Sequence, residues 1–256
     1  MKLTDIFERL EEVGPVALSD EFCRKYKMYD NSGIIIDCKE DIKGVLFSLD
    51  LSFKAIAEAK RRGYNLMVTH HPAIFGGISR ISADDVIGTC LKSGISVISM
   101  HLNFDSAPNG IDYHLMRGLG GENAEILDDV QGGGYGRVYS VEEIEFGKLE
   151  KVVCSNFNTH RALFYGDKTR SVKKIASFCG AGCNNEAISF AKRGGADVFV
   201  SSDMKHHEIA ALLGMGINVI HLTHYSAENY GFNKIYTKIS SAFSIPTAYF
   251  ADEDLL

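Results

Sequence analysis

Apolar positions at Leu3, Ile6, Phe7 and Leu10, with acids between them, recur at the helical period and predict an amphipathic helix at the start of the chain. Further on, the pattern changes to short, continuous apolar runs such as those in YNLMVTHHP (64–72) and KSGISVISMHLNFD (92–105). Continuous runs, as opposed to alternating ones, are expected of strands covered by helices on both faces. Each run follows a helical stretch closed by glycine. Gly63 and Gly194/Gly195 stand where a helix ends in a left-handed conformation.

The pattern repeats. AIAEAKRRGYNLMVTHHP in the first half is echoed by AISFAKRGGADVFVSSDMKHHE in the second, and KSGISVISMHLNFD by GMGINVIHLTHYSAE. Strand-loop-helix units, KGVLFSLDLSFKAI and KKIASFCGAGCNNEAI, precede the first pair. The chain is therefore read as α/β, with two similar lobes of mixed sheets covered by helices and related by an internal duplication. The glycine- and acid-rich stretch GENAEILDDVQGGGYGRVYSVEEIEFGKLE places the boundary, giving lobes 1–126 and 127–256. In such folds functional groups gather at the carboxyl ends of strands.

Two adjacent histidines, His70 and His71, stand at one such end. Asp105 follows another, after His101, and Pro108-Asn109-Gly110 turns the chain into the next helix. His224 and Glu228 share one helix face at i, i+4 spacing, at the head of a helix predicted over 225–240. Imidazoles with carboxylates make a mixed N/O donor set suited to zinc, iron, manganese or nickel. Four or five such ligands exceed what one catalytic metal takes from protein, and the count favours two ions about 3.5–4 Å apart. Adjacent histidines in an extended strand point to opposite sides, so each is expected to serve a different metal. The C-terminal segment of the second lobe is expected to return to this site. Each cluster also has a plainer reading: a surface histidine pair, an exposed i, i+4 pair, or an aspartate capping the following helix.

Composition narrows the partners. The 256 residues are 45% hydrophobic with a net charge of −6, enough apolar content for a sizeable core and no basic footprint for nucleic acid. No apolar run approaches the ~18 residues of a membrane span, and the N-terminus lacks a signal-peptide pattern. The six cysteines include no CxxC pair and are read as reduced packing residues of a cytoplasmic protein.

The phrases YDNSG (29–33), SLDLS (48–52), THHP (69–72), HLNFD (101–105), DMKHHE (203–208) and HYSAEN (224–229) resemble the Nif-three-like dinuclear metal-centre family, also described as GTP cyclohydrolase I type 2 proteins. They span nearly the whole chain. The resemblance implies metal ligands His70, His71, Asp105, His224 and Glu228, and toroidal hexamers with metal sites facing an inner cavity. It also implies hydrolytic opening of the imidazole ring of a guanine nucleotide with loss of formate. The chain is a short form lacking the domain that some relatives insert between lobes. It departs from the family's pattern at Tyr29 and in the cysteine-bearing loop FCGAGCNNE, neither of which is a ligand.

His101 and His207 are the candidate catalytic acid/base groups, with Asp50 beside them; His101 and His221 are also candidates for orienting ligands. A histidine bonded to backbone in the core is the plainer account of the last two. The loop CGAGCNNE has the form of a phosphate cradle at a helix start, or simply of a tight turn. The function expected is metal-dependent hydrolysis of a nucleotide or similar small molecule. The competing reading is a metal-binding regulatory or storage module without turnover.

Overall fold

The computed structural model describes residues 1–130 and 132–256. The chain opens with α1 (Leu3–Glu11) and α2 (Val16–Tyr26), followed by β1 (Gly33–Ile36), β2 (Val45–Ser48), α3 (Phe53–Arg62), β3 (Leu66–Thr69), α4 (Val86–Lys92), β4 (Ser96–Ser99) and the short α5 (Leu102–Ser106). It continues through α6 (Ile111–Gly118), β5 (Glu122–Val130), β6 (Gly133–Glu145), α7 (Phe146–Asn156), β7 (Leu163–Tyr165) and β8 (Ser171–Ser177). The last stretch holds α8 (Asn185–Gly194), β9 (Val198–Ser201), α9 (His206–Gly214), β10 (Asn218–His221), α10 (His224–Ile239) and β11 (Thr247–Phe250).

Two compact units result. The first comprises residues 1–110 with 232–252, the second residues 111–231 with 253–256. The sequence places the lobe boundary at 126/127 instead. The glycine- and acid-rich stretch behind that choice is no linker: it folds as β5 and β6, paired antiparallel from Glu122↔Ser140 to Val130↔Gly133. Turn-rich composition here marks a long hairpin, with Gly134 and Gly136 at positive φ inside β6.

The sheets are mixed and follow one plan. The first runs β1-β4-β3-β2-β11 and the second β5-β6-β8-β9-β10-β7. In the first, β2, β3 and β4 are parallel and β1 joins β4 antiparallel. In the second, β8, β9 and β10 are parallel and β7 joins β10 antiparallel. The correspondence matches the repeated phrases of the sequence. The units differ at the other edge, where β2 takes β11 in parallel and β8 takes β6 antiparallel.

Burial explains the apolar runs. All four residues of β2, β3, β4 and β9 are buried. In the first unit Leu46 and Met67 lie in one cluster with Ala55, Ile56 and Ala59 of α3. The next residue of β2, Phe47, points to the opposite face and meets the rings of Phe232, Tyr236 and Phe243 at 6.2, 5.1 and 6.2 Å. In the second unit Ala176, Phe199 and Val219 pack with Ala187, Ala191 and Leu212. Helices α3 and α8 both end on a glycine with φ 71°, Gly63 and Gly195, where a Cβ would be strained. Among the described residues no helix is long and apolar enough to cross a membrane.

Candidate metal centre

Strand β3 delivers the histidine pair through a turn that the strand pattern hides. The backbone N–H groups of His70 and His71 both donate to the Leu49 carbonyl, at 3.1 and 3.0 Å. Thr69 Oγ1 donates to the His71 carbonyl at 2.8 Å, tightening the bend. The two rings therefore lie side by side, centroids 4.9 Å apart, and do not project to opposite faces as an extended pair would. His101, at the end of β4, brings a third ring 5.2 Å from His70 and 5.8 Å from His71. One nitrogen from each of these three lies within 4.8 Å of the others, a spacing that can hold a metal ion.

His70 offers the sharpest test of fit. Its ring is fully buried, and Nδ1 donates to the Met100 carbonyl at 2.9 Å. A carbonyl has no hydrogen to give, so the neutral ring carries its proton on Nδ1 and its lone pair on Nε2. That lone pair faces Asp105 Oδ1 at 3.5 Å, and the Asp105 side chain is itself buried. Two electron-rich atoms so placed away from water form a donor pair that a metal ion could bridge. Asp105 is held by α5, where its N–H donates to the His101 carbonyl at 3.0 Å.

The other rings share this arrangement. His71 Nδ1 donates to Asp50 Oδ1 at 2.6 Å, and His101 Nδ1 to Asp30 Oδ1 at 2.7 Å. In the second unit His224 Nδ1 donates to Asp203 Oδ2 at 2.6 Å, while its Nε2 lies 3.0 Å from Glu228 Oε2. Metal-binding histidines characteristically spend one ring nitrogen on an oxygen acceptor, which fixes the tautomer and aims the other nitrogen. All four do so. Burial would raise the Asp30 carboxyl, but hydrogen bonds from His101, Ser19 and Ser32 outweigh it and hold it well below the usual carboxylate range. Asp30 thus presents a full negative charge to His101.

Local structure supports the second-unit pair as well. Thr223 caps α10, its Oγ1 accepting from Ser226 N at 3.0 Å, so His224 and Glu228 sit one turn apart on the first turns of that helix. Glu228 is 2% exposed. It lies against Gly180, whose φ of +56° and missing side chain leave room for the carboxylate.

The five residues read from the sequence as metal ligands lie in candidate donor groups: His70, His71 and Asp105 belong to the first unit, His224 and Glu228 to the second. His101, read from the sequence as a catalytic or orienting group, has the geometry of a further ligand. His207 is exposed at the head of α9 and belongs to no candidate metal cluster among the described residues. His221, half-buried at the end of β10, accepts weakly from Met204 N at 3.4 Å, and burial lowers its pKa. The CGAGCNNE loop is a poor phosphate cradle: Asn184 Oδ1 already accepts from Glu186 N and Ala187 N at the start of α8, and Cys179 N donates to Asp112. The anchors Asp30 and Asp203 were not singled out in the sequence. Each lies in a motif phrase, YDNSG and DMKHHE, and that recurrence of aspartate was the available signal.

The chain is similar to known proteins in both sequence and fold. A family model described as Duf34/NIF3 (NGG1p interacting factor 3) matches residues 1–252. A Clostridium perfringens protein named GTP cyclohydrolase 1 type 2 homolog is 30% identical over 237 residues, covering 89% of this chain and 87% of its own. A crystal structure of a Staphylococcus aureus protein superposes with a TM-score of 0.86 at 23% identity, over 100% of this chain and 98% of that one. Reduced HcgD from Methanocaldococcus jannaschii superposes with a TM-score of 0.79 at 26% identity, over 98% of both chains.

Proposed function

Because this chain belongs to the Duf34/NIF3 family, we propose that it is a dinuclear metal-dependent hydrolase acting on a nucleotide or similar small molecule. The observation that carries the proposal is the buried His70 lone pair set opposite Asp105, repeated in kind by three more anchored histidines. The proposed ligands are His70, His71, Asp105, His224 and Glu228, with His101 as a sixth donor. The name carried by the Clostridium relative supports a guanine nucleotide as the substrate to try first. A cytoplasmic homo-oligomer of hexameric form belongs to the same reading.

When bound, two divalent ions would acidify a water molecule and polarise the bond under attack. The chain's own residues do the rest. Asp30, Asp50 and Asp203 hold the tautomers of His101, His71 and His224, and the Met100 carbonyl holds that of His70. Asp50 is the candidate proton carrier next to this cluster, since its side chain is 40% exposed and keeps contact with solvent while bonded to His71. His207, exposed at the head of α9, is the other candidate.

A specific observation favours the second reading, a metal-binding module without turnover: both His101 and Asp50 are already committed to anchoring bonds. Elemental analysis paired with GTP hydrolysis separates the two. The hydrolase reading expects about two transition-metal ions per chain, retained in His207→Ala and depleted in Glu228→Ala, and release of product that Asp105→Asn abolishes. Two ions with no hydrolysis of any nucleotide would favour the binding module. One ion or none after metal addition would overturn the dinuclear centre.

A further inference from the structure

We infer that Phe75 is a stacking platform for a planar heteroaromatic ring of the substrate, beside the first-unit histidine cluster. The inference rests on the metal-dependent reading and deepens it by naming the part of the substrate that the chain grips. Phe75 is 57% exposed, yet its backbone neighbourhood is held on both elements beneath it. Ala73 N donates to Ser99 Oγ at 3.0 Å, and Asn31 Nδ2 donates to the Ile74 carbonyl at 2.7 Å. The ring is thus held out in water by a pinned chain.

Its contact with a neighbouring ring is informative. Phe75 meets His101 with centroids 6.2 Å apart and planes at 81°, an edge contact. An edge contact at this distance covers little of the phenyl ring, and its exposure leaves apolar surface for a second ring, which stacks with centroids about 4.5–7 Å away. A heterocycle lying there would bring its edge nitrogens and oxygens beside His101, in the group that also holds His70 and His71. Tyr29 is a second exposed aromatic, at 61%, two residues before the Asn31 that ties down Ile74. Ring faces bind every nucleobase, so the platform selects the ring and not its sequence of substituents.

The test uses the metal-loaded full chain and titrates GTP and ATP, with inorganic triphosphate as the ring-free control. Phe75→Ala is expected to weaken nucleotide binding about tenfold, Phe75→Leu nearly as much, and Phe75→Trp not at all. Triphosphate binding and metal content should be the same in all four proteins. Nucleotides binding no better than triphosphate would overturn the inference. So would a Phe75→Leu protein that binds like the parent, since the residue would then be a simple apolar contact. Metal loss in Phe75→Ala would also overturn it, by showing that the ring acts through His101. Nucleotides that bind through Phe75 without being hydrolysed would remove the hydrolase reading and leave the platform standing. Hydrolysis with binding indifferent to Phe75 would do the reverse.

Discussion

Gly180 and Glu228 occupy each other's space: a methyl group built on Gly180 would overlap Glu228 Oε1 and stand 3.5 Å from His224 Cε1. Gly180→Ala should therefore displace the buried carboxylate as well as strain a residue at φ +56°. Gly195→Ala is the matched control, since its φ is +71° and nothing lies within 4 Å of the added carbon. Both variants are expected to lose about 1 kcal/mol of stability from the backbone, read by thermal melting of the metal-free proteins. Only Gly180→Ala should lose bound metal, read by elemental analysis. Equal metal content in the two would show that Glu228 is not a ligand.

The anchors should act through the rings they hold. Asp30→Asn and Asp203→Asn keep volume but replace the charge that fixes His101 and His224. Losing such a partner typically weakens metal affinity 10–100-fold. A metal competition titration should find that range for each. Asp37→Asn is the control, because its nearest cation is the exposed Lys39 at 3.4 Å. An unchanged affinity in Asp30→Asn would detach His101 from the metal.

Stability of the second unit should depend on a buried ion pair. Asp112 is fully buried and pairs with the buried Arg137, and it also accepts from Gly136 N and Cys179 N at 3.0 Å each. Asp112→Ala leaves a guanidinium charge and two amides without their acceptor, which costs about 3–5 kcal/mol. Replacing both partners with apolar residues should recover much of that loss. Urea denaturation reads both results; a loss below ~1 kcal/mol in Asp112→Ala would contradict the pairing.

Two buried thiols, Cys90 and Cys183, should be unreactive in the native protein. Burial pushes the Cys90 thiol up to about 12, with a smaller push from Cys38. Burial does the same to Cys183, also to about 12, with Glu208 adding to it. At pH 8 roughly one thiol in ten thousand is then ionised, and the thiolate is the nucleophile. Brief iodoacetamide treatment followed by mass spectrometry should leave Cys90 and Cys183 unlabelled until the chain is unfolded. Rapid labelling of either would mean that its cover opens.

The sequence by itself determined the α/β class, the repeated plan and the types of candidate donor. Those features are local. A covered strand shows as a continuous apolar run, a helix end as Gly63 or Gly195, and a metal donor as a histidine or carboxylate just past a strand. Even the extent of α10 was legible, predicted over 225–240 and found over His224–Ile239. Tertiary structure alone decided what depends on atoms distant along the chain. The Leu49 carbonyl turns His70 and His71 side by side, Met100 sets the tautomer of His70, and Asp30 reaches His101 from 71 residues away. The unit boundary was misplaced for the same reason, because a long hairpin and a linker share the composition of glycine and acid and differ only in their pairing partners. Residue type selects the chemistry, but a ring nitrogen is aimed by its hydrogen-bond acceptor, and that acceptor is chosen by the fold.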